Sequence, residues 1–177
     1  MTRDELAAHI HRRSLLHGHF VLRSGATSDR YFDKYLFESD PELLRAIAEA
    51  MAPLVPDGID AIAGLELGGV PLAVMLSQLT GLPTLFVRKR AKEYGTRRLA
   101  EGGDIAGRRL LVVEDVITSG GQVVLSTRDL RQLGASVEQA LCVIDREAGG
   151  AANLAEADVR LTPLFTMSAL ERAADPG

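Results

Sequence analysis

Residues 110 to 121 read LLVVEDVITSGG, and no other stretch of the chain restricts the fold as tightly. The uninterrupted apolar run Leu110 to Val113 suits a strand buried on both faces of a parallel sheet. Such a strand ends with two adjacent carboxylates, Glu114 and Asp115, at its carboxyl edge, where open α/β sheets bind ligands. A carboxylate pair there can accept hydrogen bonds from neighbouring hydroxyls or lie near a hydrated Mg²⁺. Thr118, Ser119, Gly120 and Gly121 then open a helix. Small residues with free amides at a helix start form a phosphate cradle, because the unpaired donors and the helix dipole both favour an anion.

The rest of the chain repeats the strand-then-helix theme. Expected strands are Ile59 to Gly64, Thr84 to Val87, Val137 to Ile144 and Val159 to Leu164, with helices at Val70 to Leu79 and Gln122 to Leu133. Gly81 and Gly134 stand where helix carboxyl ends favour glycine. This alternation predicts an α/β fold, a mostly parallel central sheet flanked by helices. Upstream, Thr2 and Glu5 are spaced as a capping box for a helix reaching Ser14, with Gly18 ending that region. Phe20 to Phe37 reads as short strands or a flap. Asp40 caps a further helix with Pro41 at its first position and Leu43, Leu44, Ile47, Met51 and Leu54 on its core stripe.

With 177 residues and 46% apolar composition, the chain suits one domain with a sizeable core. The opening MTRDELAAHI lacks the apolar stretch of a secretory signal, and no run approaches the ~20 apolar residues of a membrane span. A cytoplasmic protein without membrane contact is expected. Cys142, the single cysteine, lies in an apolar run and reads as a core thiol. His9, His11, His17 and His19 all precede residue 20; a spacing of two on a helix turns side chains apart, which argues against a metal site. The net charge of −4 disfavours general nucleic-acid binding.

The charge is unevenly placed. Arg88 to Arg98, RKRAKEYGTRR, holds six basic residues and one acid, and two of the chain's three lysines, Lys89 and Lys92, fall there. The interval Lys89 to Gly107 lacks periodicity, and loops of that length inside a compact domain are usually functional or disordered. A cationic loop beside phosphate cradles can order over a polyanion and exclude water. A second cradle is offered by GLELGGVP, residues 64 to 71, whose glycines follow a strand and open a helix.

Strand, two acids, apolar pair, Thr, small residue and Gly together resemble the phosphoribosyl-diphosphate (PRPP) signature of the type I phosphoribosyltransferases. By this resemblance Glu114, Asp115, Val116, Ile117, Thr118, Ser119, Gly120, Gly121 and Gln122 form the PRPP segment, and Leu67 and Gly68 belong to a diphosphate loop. There the family often has a non-proline cis peptide, for which Leu67-Gly68 is the candidate. Arg88, Lys89, Lys92 and Tyr94-Gly95 resemble the catalytic loop of the orotate phosphoribosyltransferase branch, which reaches across a homodimer to the neighbouring diphosphate. GHFVLRSG with Tyr31-Phe32 resembles that branch's amino-terminal hood, and Asp145-Arg146-Glu147 its base-recognition corner. The matches span about residues 18 to 150 in the family's order.

The implied layout is a single domain: a hood over about 1–37 aided by the carboxyl-terminal segment, a PRPP-binding core over about 38–165, and a mobile catalytic loop over 89–107. The implied reaction is Mg²⁺-dependent transfer of phosphoribosyl to orotate in pyrimidine synthesis. Lys92, Asp115 and Glu114 are the catalytic candidates. Arg23, Phe32, Thr118 and Arg146 would hold orotate, whose carboxylate suits a guanidinium fork. Mg²⁺ would be held mainly through PRPP, with Asp115 touching it through water. Tyr94 stands where many members carry His, Gly68 where some carry a diphosphate-binding Lys, and Arg23 where many carry Lys. Competing readings are a purine phosphoribosyltransferase, which would not depend on Arg146, a regulatory nucleotide or RNA sensor, which would have a degraded loop or a basic RNA face, and a flavodoxin-like module, which would not need the basic loop.

Overall fold

A computed structural model describes residues 1–177 except 23, 92, 94, 96, 97, 176 and 177. Helix α1 (Arg3–Ser14) begins at Thr2, which accepts from the Glu5 amide while Glu5 reaches back to the Thr2 amide at 2.7 Å. This helix stops at Ser14, because Leu15 is already extended. The strand β1 (Leu15–Val21) therefore contains Gly18, which does not end the helix as the sequence suggested. β1 pairs antiparallel with β2 (Thr27–Phe32) through a bulge between His17 and Phe20. Phe20 stacks on Tyr31 across this hairpin, ring centres 5.5 Å apart.

A short helix α2 (Tyr35–Glu38) leads to α3 (Pro41–Met51), whose Asp40 cap accepts from the Glu42 and Leu43 amides. Strand β3 (Ala61–Leu65), helix α4 (Gly69–Thr80) and strand β4 (Thr84–Val87) form one right-hand unit of the main sheet. A two-residue strand, β5 (Ala100–Glu101), turns back antiparallel onto β4. It breaks the expected structureless interval 89–107 and covers an otherwise open sheet edge. Strand β6 (Arg109–Ile117), helix α5 (Gly121–Gln132) and strand β7 (Ser136–Asp145) follow, then α6 (Gly150–Glu156), β8 (Arg160–Thr166) and α7 (Met167–Ala174).

Sheet order is β5-β4-β3-β6-β7-β8, parallel except for β5. After β3 the chain winds outward to β4; after β6 it winds the other way. The order reverses between β3 and β6, and in such sheets the ligand crevice opens at that point. One face of the sheet packs Leu72 and Leu76 of α4, Ile47 of α3 and Ile10 of α1 against Leu111 and Val113. The opposite face packs Val123 and Leu130 of α5 and Leu154 of α6 against Val112 and Ala140. Cys142 is fully buried in this second layer, and burial first, then the nearby acids, pushes its thiol well above the usual range.

Candidate active site

Strand β6 runs four residues beyond the expected end at Val113. Its pairing with β3 stops at Gly64 and Val113, whereas pairing with β7 continues through Glu114, Val116 and Ile117. The last turn of β6 thus keeps one edge bonded and opens the other to the crevice. Val116 and Ile117 turn their side chains into the two apolar layers. Only their backbone is left for a ligand.

Beyond Ile117 the exposed residues Thr118 and Ser119 lead to Gly120, whose φ of 75° is a left-handed conformation that suits glycine. Helix α6, which the sequence did not announce, braces this turn. A Cβ on Gly120 would run into Leu154 Cδ1, and one on Gly150 would lie 2.6 Å from Ile117 Cγ2. The Asn153 side-chain amide donates to the Ser119 carbonyl at 2.8 Å. Helices α4 and α5 begin on Gly68 and Gly120 without a side-chain cap, whereas α1, α3 and α7 begin on Thr2, Asp40 and Thr166, each of which accepts an amide. No side chain claims the first amides of α4 and α5; in α4 the Val70 amide turns back to the Leu67 carbonyl at 3.2 Å, and the remaining unpaired amides of the two ends favour an anion.

Between these two helix starts lies a buried charged cluster. Asp115 is fully buried; its Oδ1 accepts from the Val116 amide at 2.5 Å and its Oδ2 meets the Lys34 ammonium at 2.6 Å. Gly68 packs directly over this carboxylate, and a Cβ there would run into Asp115 Oδ2 and lie 2.9 Å from Glu38 Oε1. Burial, then the charge of Asp115, pushes the Glu38 carboxyl up to about 9 and that of Glu114 up to about 8. For Lys34, half-burial works against the charge, but the hydrogen bond and charge of Asp115 outweigh it and the ammonium is raised. At neutral pH the cluster therefore holds an ion pair and two neutral carboxyl groups, which limits the cost of burying three acids together.

The diphosphate loop and the basic segment meet at their roots. The Lys89 amide donates to Glu66 Oε1 at 2.5 Å, and Arg88 pairs with Glu101 at 3.5 Å while its amide bonds the Leu99 carbonyl. The non-proline cis peptide joins Glu66 and Leu67, one bond before the expected Leu67-Gly68. Leu67 is exposed and Gly68 buried. Lys92 and Tyr94 lie outside the described residues, as does Arg23.

At the other end of the crevice a cavity of about 880 Å³ is lined by Phe32, Arg146, Arg30, His11, His17 and Met167, among others. Phe32 and Arg146, far apart in sequence, are brought together there as expected; Thr118 is not among the lining residues. The Arg146 corner is fixed on both sides. Its own amide donates to the Ile117 carbonyl at 2.9 Å, and the next residue, Glu147, accepts from the Ser168 amide at 2.9 Å and hydroxyl at 3.0 Å. These bonds hold the Glu147 carboxyl below its usual range. Sequence reasoning missed Lys34, Glu38 and Glu66. Their one signal was composition: Lys34 is the only lysine outside the basic segment.

The acid pair and flanking helix starts at the sheet switch point, with a guanidinium-lined cavity past the ends of β7 and β8, are the layout of a type I phosphoribosyltransferase. The family model for the phosphoribosyl transferase domain matches residues 37–164. An orotate phosphoribosyltransferase of a Nocardioides species is 53% identical over 178 residues, covering 100% of this chain and 99% of that protein. The crystal structure of orotate phosphoribosyltransferase from Aeropyrum pernix superposes with a TM-score of 0.83 at 31% identity, covering 97% of this chain and 99% of that one. The Mycobacterium tuberculosis orotate phosphoribosyltransferase in complex with PRPP gives 0.82 at 27%, covering 96% and 98%. The chain belongs to the orotate phosphoribosyltransferase family.

Proposed function

We propose that this chain transfers the 5-phosphoribosyl group from PRPP to orotate, giving orotidine 5′-monophosphate and diphosphate, within pyrimidine synthesis. The observation that carries the reading is the placement of Glu114 and Asp115 between two uncapped helix starts, with Arg146 and Phe32 in one cavity beyond them. The new bond joins an orotate ring nitrogen to the anomeric carbon as the bond to the diphosphate oxygen breaks. Negative charge grows on the leaving group and positive charge on the ribose, so electrostatic placement dominates.

The amides from Thr118 to Gln122 hold the 5′-phosphate, Glu114 receives the ribose hydroxyls, and the charge of Asp115 behind it opposes the cationic ring. The diphosphate lies against the Leu67-Gly68 loop, where Arg88, Lys89 and Lys92 of the basic segment neutralise it, with Tyr94 beside them. Arg146 forks onto the orotate carboxylate, Phe32 and Arg23 flank the ring, and Thr118 serves both ends. The donor set suits Mg²⁺ carried on the substrate: one partly exposed acid, Glu114, beside the buried Asp115 carboxylate is the sparse protein contribution that this ion would accept when phosphates and water supply the remainder. When bound, the ion neutralises the departing diphosphate.

The working unit is a homodimer in which segment 89–107 serves the neighbouring site. Val74 and Leu79 on α4 and Phe86 on β4 are exposed large apolar side chains on adjoining elements, as a subunit interface requires. A cytoplasmic enzyme that binds neither nucleic acid nor membrane fits the acidic remainder of the chain; among the described residues no helix is long and apolar enough to cross a membrane. The test is orotate loss followed by absorbance with PRPP and Mg²⁺. Consumption of orotate but not adenine or hypoxanthine is expected; turnover of a purine instead reassigns the base.

A further inference from the structure

We propose that Lys34 is a positioning residue of the phosphoribosyl site, its ammonium fixing the buried Asp115 carboxylate so that the adjoining, partly exposed Glu114 is set to receive the ribose hydroxyls. This rests on the reading of the chain as a PRPP-using transferase, and no role for Lys34 is contained in that reading.

Asp115 cannot be held by solvent, because it is fully buried. The Val116 amide occupies Oδ1. On Oδ2, Lys34 is the one cation within ion-pair distance among the described residues. The other neighbours of that oxygen carry no positive charge: the Gly68 backbone packs over it, and Glu38 and Glu114 are neutral carboxyl groups. Without the ammonium, Asp115 becomes a buried charge with neutral neighbours alone, and it must take a proton or rotate away. Either response disorganises the acid pair at the ribose site.

The local fold delivers Lys34 to this spot rather than leaving it a surface lysine. It precedes α2, and Phe37 on that helix is fully buried in the core, which anchors the turn. The ammonium also lies 5.3 Å from the centre of the Tyr35 ring. A compact ammonium fits between carboxylate and ring, where the wider, planar guanidinium would demand a fork geometry. The side chain is 35% exposed, so it reaches the buried acid from the crevice itself.

The experiment compares wild type with Lys34→Met and Lys34→Arg by steady-state kinetics, calorimetric titration with ribose 5-phosphate, and thermal melting. Lys34→Met should raise both the Kd for ribose 5-phosphate and the KM for PRPP about tenfold or more, as loss of a charged hydrogen bond does. The KM for orotate should stay within about twofold, and Lys34→Arg, which keeps the charge without the compact fit, should recover only part of the loss. Unchanged ribose 5-phosphate affinity with a lowered melting temperature overturns the proposal, since the pair would then be structural only; a parallel rise in the KM for orotate overturns it equally. Should Lys34→Met not fold, Lys34→Gln combined with Glu38→Gln, which removes a buried acid along with the cation, carries the same titration. If wild type consumes no orotate, the assignment of the base fails, and the ribose 5-phosphate titration still decides the role of Lys34.

Discussion

The two ends of the crevice are built in opposite ways. The phosphate and ribose end is built on one continuous piece of chain, β6 running through its turn into α5 and braced by α6, with Lys34 and Gly68 packed against its Asp115. The base end is assembled from four distant segments: α1, the β1–β2 hairpin, the corner after β7 and α7, around an open cavity. A continuous segment fixes its geometry locally. An assembled one depends on clasps such as Glu147 to Ser168. The contrast predicts that damage at the first end strikes chemistry or folding directly, while damage at the second strikes selectivity.

The sharpest test is Asp115→Asn, which keeps the volume and removes the charge opposing the cationic ribose. A fall of about 10²–10³ in kcat is expected, measured with both substrates saturating. Arg146→Ala comes next. Loss of a charge-assisted fork should cost roughly 1.5–3 kcal/mol, about 10–150-fold in kcat/KM for orotate, with the KM for PRPP nearly unchanged. Equal effects on both substrates would erase the division between the two ends.

Gly120→Ala probes the brace. The left-handed φ and the Leu154 methyl group both oppose a Cβ, so about 1–3 kcal/mol of stability should be lost. At about 2–4 °C per kcal/mol for a chain of this size, a melting scan resolves it. The smallest effect concerns pH. Glu38 and Glu114 keep protons in the folded state, to about pH 9 and 8, that the unfolded chain has released by about pH 4.5. The folded state therefore binds more protons across that window, and stability should decline as pH rises from about 5 to 9. Glu38→Gln should flatten the decline. Melting temperatures that rise with pH would show that the cluster is not protonated.

This division also explains what the sequence could disclose. Residues 110 to 122 carry their own signals, namely an apolar run, two acids and glycines at the turn, because strand, turn and helix start are each local. The parallel sheet was legible for the same reason. Strand β5 was not, since two residues become a strand only when β4 lies beside them. Helix α6 is too short for a periodic signal, and its purpose, filling the space beneath Gly120, exists only in three dimensions. The cis bond was displaced by one residue because side chains do not record which amide turns. Lys34 lies within, and Glu38 just after, the stretch read as short strands or a flap, and nothing in their spacing announces Asp115, which lies far along the chain.

Gly68 adds a historical constraint. Its backbone and the carboxylate of Asp115 compete for one space, and some relatives of this fold place a lysine at the equivalent point. In this chain such a lysine cannot arrive by a single substitution, because any side chain at 68 first drives Asp115 off Lys34. A side chain at 68 is therefore accommodated only after a change near Asp115 or Lys34, so the order of two such substitutions, and not their sum, decides whether the site survives them.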